Sequence, residues 1–102
     1  MKRLLIPAAL ILFSAAPALA QDIAINIKSF KFMIMDASVT AGSTVTWKNL
    51  DEEPHTVTSE TGLFRSGALD TGQTFSFKFE KPGVYKYRCS IHPQMVGTVT
   101  VK

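Results

Sequence analysis

Near its C-terminus the chain reads Tyr85-Lys86-Tyr87-Arg88-Cys89-Ser90-Ile91-His92-Pro93-Gln94-Met95-Val96-Gly97. This stretch holds the single cysteine, one of the two histidines and the last of the four methionines. The spacing is Cys-x-x-His-x-x-Met, so a thiolate, an imidazole and a thioether fall within seven residues. The other histidine, His55, lies far upstream in Glu53-Pro54-His55-Thr56-Val57. Taken singly, each residue has a structural explanation: a lone cysteine packs as a small hydrophobe, and a methionine fills a gap. Together they form a constellation suited to holding a metal ion.

The donor types narrow the choice of metal. Zinc wants four strong nitrogen, sulfur or oxygen donors in a tetrahedron, and a thioether is too weak to serve as one. Two imidazoles, one thiolate and a distant axial thioether are instead the set that suits copper in both of its oxidation states. A compromise geometry changes little when an electron arrives or leaves. The reading is therefore a type 1 copper site on His55, Cys89, His92 and, weakly, Met95. Pro93 stiffens the ligand loop by fixing its own φ. Four protein donors leave no open position for a substrate, so no enzymatic activity is expected.

The N-terminus reads as an export signal. Met1-Lys2-Arg3 is basic, Leu4 to Phe13 is apolar, and small residues follow up to Ala18-Leu19-Ala20. That pattern predicts a secretory signal peptide over residues 1–20, cleaved after Ala20, and a periplasmic location. No other stretch is long and apolar enough to span a bilayer, so no membrane association is expected after cleavage. The remaining 82 residues, 21–102, make one domain. Loss of Lys2 and Arg3 lowers the formal charge from +3 to +1, so the whole-chain basicity belongs largely to the signal. No basic run with interleaved aromatics points to nucleic acid. In an oxidising compartment an unpaired thiol calls for an explanation, and metal ligation supplies one.

The elements that must position the donors are short alternating runs bounded by turn residues, which argues an all-β chain. Ile23, Ile25 and Ile27 alternate, then Phe30 and Phe32 do so one residue out of phase, which predicts a bulge or break near Lys28-Ser29. Met33-Ile34-Met35 leaves that strand, as core or as an apolar surface near the metal. Val45 and Trp47 share a face, with Trp47 in the core. Leu50 to Pro54 reads as a solvated acidic turn, and a strand is expected to begin at or near His55. Residues 60–71 are rich in small residues and read as irregular. Phe75, Phe77 and Phe79 face one way, and Lys81-Pro82-Gly83 is a turn. Tyr85, Tyr87 and Cys89 share the inward face of the next run, so the thiol is shielded. Seven or eight such strands predict a two-sheet Greek-key β-sandwich.

Trp47-Lys48-Asn49, Pro54-His55-Thr56 and the whole run from Gly83 to Met95 resemble the cupredoxins, over about Phe30 to Lys102. The ligand loop is most similar to that of amicyanins, and more distantly to those of plastocyanins and pseudoazurins. Where the family often carries proline after the Phe-x-Phe segment, this chain has Ile34. The resemblance implies a β-sandwich with copper at one end. It implies that Asn49 ties the two ligand-bearing segments together and hydrogen-bonds near the Cys89 sulfur. It also implies a monomeric electron shuttle whose electron passes through the edge of His92. Redox proteins such as a dehydrogenase, a c-type cytochrome, an oxidase or a reductase would dock transiently on an apolar patch that includes Pro93 and Pro54. The same ligands would also serve a periplasmic copper store or chaperone, which is the rival reading.

Overall fold

The structure, a computed structural model, describes residues 19–102. The expected signal peptide therefore lies outside the described residues except for Leu19 and Ala20. Eight strands follow: β1 Ile23–Lys28, β2 Lys31–Phe32, β3 Asp36–Val39, β4 Ser43–Asn49, β5 Thr58–Ser59, β6 Thr74–Phe79, β7 Gly83–Arg88 and β8 Val96–Val101. One four-stranded sheet has the order β2-β1-β4-β6 and the other β3-β8-β7-β5. The expected all-β sandwich is thus observed. No helix among the described residues is long and apolar enough to cross a membrane.

Alternation decides which side chains fill the space between the sheets. Ile25, Ile27, Val45, Trp47, Val57, Tyr87, Cys89 and Val99 are fully buried. Each large apolar side chain so placed contributes about 1.5–3 kcal/mol. Trp47 sits at the centre, its ring centroid 5.2 Å from Tyr87 and 5.8 Å from Phe64. Phe64 comes from the irregular stretch 60–71, so that loop supplies core as well as connection. Among the described residues, neither the buried Tyr87 hydroxyl nor the Trp47 indole nitrogen has a hydrogen-bond partner. Burial pushes the Tyr87 pKa up to about 12, and the nearby indole pulls it only partly back.

Strand direction explains why distant segments meet. β1 and β4 run parallel, with Ile27 opposite Asn49, so the turn after β1 and the loop after β4 leave the sheet at the same end. In the second sheet Arg88 pairs with both Thr58 and Val96, bringing the β7–β8 connection to that end as well. β3 runs parallel to β8, with Met35 O accepting from Thr98 N, so Met33-Ile34-Met35 also falls there. These three side chains are exposed, which makes them apolar surface and not core.

The break expected near Lys28-Ser29 is observed and takes the form of a tight hairpin: Lys28 pairs with Lys31, leaving Ser29 and Phe30 as a two-residue turn. Both central residues have positive φ, 54° and 58°, the signature of a type I′ turn that Asn-Gly normally supplies. The strand expected from His55 is regular only at Thr58–Ser59. His55 instead makes an isolated antiparallel bridge with Leu69, and His55, Thr56 and Val57 are all buried, loop 60–71 hydrogen-bonding to His55 and Val57 while Thr56 meets Cys89 and Ser90.

Candidate metal centre

The ligand loop is closed at its neck by backbone. Cys89 N–H donates to Met95 O at 3.0 Å, and Met95 N–H donates to His92 O at 2.9 Å. The first bond holds the ends of the seven-residue segment together, and the second folds its second half into a turn. The inward face of β7 continues through Cys89, whose side chain is completely buried, as period two predicted. Met95 is buried as well, and Pro93 is exposed beside the half-buried His92.

His55 reaches the same place from the other segment. Its backbone exchanges two hydrogen bonds with Leu69, at 3.1 and 2.7 Å, which fixes the height of the residue in the loop. Its Nε2 lies 2.8 Å from Asp51 Oδ2, which turns Nδ1 toward the sulfur. Cys89 Sγ is 3.8 Å from His55 Nδ1 and 3.7 Å from His92 Nδ1, and the three donor atoms all lie within 4.8 Å of one another. Those separations are long for hydrogen bonds. They suit one shared ion: bonds of about 2.0 Å to nitrogen and about 2.3 Å to sulfur, opened near 120°, put sulfur and nitrogen about 3.7 Å apart. The space, the softness of the donors and their burial fit a type 1 copper ion, and the chain's cofactor is copper.

The groups around the donors differ from the sequence expectation. Asn49 does not reach the sulfur. Its Nδ2 donates to Glu53 O and Leu69 O, both at 2.8 Å, and its Oδ1 accepts from Asp51 N at 2.9 Å. It therefore braces the loop that carries His55, with all three of these bonds made to that loop and to Leu69 and none to Cys89. Thr56 performs the bridging role instead. Its N–H donates to Cys89 Sγ at 3.3 Å, and its Oγ1 accepts Ser90 N–H at 2.7 Å. One residue thus ties the His55 segment to the Cys89 loop and tempers the thiolate charge.

Asp51 is the second departure. It is not part of a solvated turn but buried, and it accepts Ser29 N at 2.7 Å and Phe30 N at 2.9 Å besides contacting His55. Burial alone would raise its pKa, but the bonds from Phe30, His55 and Ser29 outweigh burial and hold the carboxyl below its ordinary value. The third is Phe30, whose ring meets both imidazoles edge to face. Asp51, Thr56 and Phe30 escaped the sequence reading. The only available signals were the four-residue offset of an acid before His55 and a hydroxyl directly after it.

Comparison with known proteins agrees with this geometry. A family model described as a cupredoxin-like domain matches residues 3–101. The chain is similar to amicyanin-alpha of Methylorubrum extorquens, 35% identical with all of both chains covered. It is also similar to amicyanin of Paracoccus denitrificans, 34% identical over 88% of this chain and 72% of the relative. Among solved structures, a reduced amicyanin variant superposes with TM-score 0.76 at 30% identity, covering 88% of this chain and 90% of that one. A purple cupredoxin from Nitrosopumilus maritimus gives 0.70 at 39% identity, covering 82% and 100%. With donors converging at one end of a two-sheet sandwich and a family match over nearly its whole length, the chain belongs to the cupredoxin-like family.

Proposed function

We propose that the chain is a periplasmic blue-copper protein that carries single electrons between redox partners. His55, Cys89 and His92 would hold the ion through Nδ1, Sγ and Nδ1, with the buried Met95 thioether as a fourth, weaker donor. Copper supplies the one-electron couple. The convergence of one thiolate and two imidazoles, with separations of 3.7 and 3.8 Å, carries this reading.

The remaining residues supply rigidity and access. Asp51 orients the His55 ring, Thr56 N–H meets the sulfur, and the Cys89–Met95 backbone bond keeps the loop closed. A pocket that is already shaped needs little rearrangement when charge changes. His92 is the only one of the three donors not fully buried, so it offers the electron its way in and out. Phe30, Ile91 and Pro93 surround it as exposed apolar side chains. Such a surface favours brief contacts with redox proteins. Export through the signal over residues 1–20 would place the monomer in the periplasm.

The test is copper loading followed by stopped-flow mixing of the reduced protein with an oxidised c-type cytochrome. Oxidation of the copper with rapid, reversible electron exchange supports the shuttle. Transfer of the metal itself to an apo-acceptor, without electron exchange, overturns it in favour of copper handling.

A further inference from the structure

Phe30 is not a donor, yet it touches two of them. Its ring centroid is 5.2 Å from that of His55 at an interplanar angle of 87°, and 5.0 Å from that of His92 at 90°. The two imidazoles are themselves 5.0 Å apart at 61°. The three rings therefore form a closed triangle of edge contacts.

The backbone that presents this ring is strained. A bulky side chain at φ 58° follows a serine at φ 54°, a left-handed conformation in which the Cβ of an L-residue crowds the following carbonyl. The ring is also left 44% exposed, so burial does not fully compensate. The compensation comes from Asp51, whose two carboxylate oxygens accept the amides of Ser29 and Phe30 at 2.7 and 2.9 Å. The oxygen that holds Phe30 N also meets His55 Nε2. One carboxylate thus sets both the His55 ring and the ring that leans on it.

The two histidines need this contact unequally. His55 is fully buried and has Asp51. His92 is part-exposed, and among the described residues no carboxylate or carbonyl is hydrogen-bonded to its ring, whose one polar contact of that kind is the Cys89 sulfur at 3.7 Å. Its orientation therefore depends on what packs against its faces and edges. An aromatic pair of this kind favours the paired ring orientation by about two- to twelvefold beyond what area burial gives.

We propose that Phe30 is a positioning residue, an aromatic clamp latched by Asp51, that holds the His92 imidazole against the His55 imidazole before the metal arrives and in both of its oxidation states. The clause about oxidation states rests on the copper reading above; the clause about the metal-free protein does not. The clamp makes the ligand pair a single preformed unit and restricts the rotation by which His92 would leave the site.

Phe30→Leu is the discriminating variant, because leucine keeps apolar bulk and the same backbone penalty but has no ring. In the copper-free protein, NMR relaxation of the His92 ring is measured in wild type and variant, with the denaturant midpoint checking that the fold persists. The clamp predicts a rigid His92 ring in the wild type and a mobile one in the variant. In the loaded protein, removal of cuprous ion by a chelator in excess is expected to speed up by about two- to twelvefold, the range that the loss of one aromatic pair implies. Asp51→Asn is expected to loosen the latch, seen as faster hydrogen exchange at the Ser29 and Phe30 amides. Equal His92 mobility in wild type and Phe30→Leu overturns the proposal, and so does an already mobile ring in the wild type. If the wild type takes up no copper, the copper reading fails while the metal-free measurement still decides the clamp.

Discussion

Asp51 Oδ2 stands 2.8 Å from His55 Nε2, and both side chains are buried. A carboxylate behind a ligating imidazole fixes its tautomer and makes it a better donor. Loss of such a partner typically costs metal affinity about ten- to a hundredfold. Asp51→Asn is therefore expected to weaken copper binding by that order, measured by competition with a chelator of known affinity. Unchanged affinity would show that the loop holds His55 without the carboxylate.

Thr56 gives a second test, one that needs no metal. Its Oγ1 accepts Ser90 N–H at 2.7 Å, across 34 positions of sequence. Thr56→Val keeps the shape and removes that acceptor, and a lost bond of this kind costs about 1 kcal/mol. Thr56→Ser retains the acceptor. Denaturant unfolding of the copper-free proteins should rank wild type near the serine variant and both above valine. A valine variant as stable as serine would mean the bond contributes nothing to joining the two segments.

Gly97 is required by its neighbour. A Cβ added there would fall 2.3 Å from the ring and the hydroxyl of Tyr87, far inside contact distance. Overpacking of a tight core costs about 1–3 kcal/mol or more, so Gly97→Ala should destabilise by at least that. Tyr87→Phe deletes a buried hydroxyl that has no hydrogen-bond partner among the described residues, and is expected to be close to neutral. Because the hydroxyl is one of the colliding atoms, the double variant should recover part of the loss. Strict additivity in calorimetry would contradict the shared contact.

Two groups set opposite pH limits. Burial raises the Tyr87 pKa from its ordinary 10.0 to about 12. Between those values the unfolded chain has released the proton and the folded chain has not, so stability that is full below 10.0 is lost as pH rises toward 12. Asp51 runs the other way: its folded pKa lies below the ordinary 3.8, so its contribution is full above 3.8 and is lost as pH falls through the folded value. Denaturant titrations of copper-free Tyr87→Phe should show a shallower alkaline loss than wild type, with the acid limb unchanged. Parallel alkaline limbs would locate that loss elsewhere.

The donor set was legible because its residue types are rare in this chain and three of them share one loop. Trp47, Cys89 and the Phe75-Phe77-Phe79 face were legible because period two says which way a strand residue points. The Ser29-Phe30 hairpin was not, because its positive φ values are sustained by Asp51, 21 positions away, and not by a local Asn-Gly. Asp51 and Thr56 were hidden for the same reason: a carboxylate after a strand is ordinary until the parallel β1–β4 pairing sets it beside Ser29 and Phe30, and a threonine beside a histidine until the β5–β7 pairing sets it against Cys89 and Ser90. Asn49 was noticed but given the wrong partner, since its register at the end of β4 aims it at Glu53 and Leu69.

The central claim is that Cys89 gives its thiolate to a copper ion shared with His55, His92 and Met95. The most direct measurement is a cupric titration of the purified wild type and Cys89→Ser, followed by visible absorption. The claim predicts an intense blue band that saturates at one copper per wild-type chain and is absent from the serine variant. An equally intense band in Cys89→Ser, or a wild type that stays colourless with copper in excess, would contradict it.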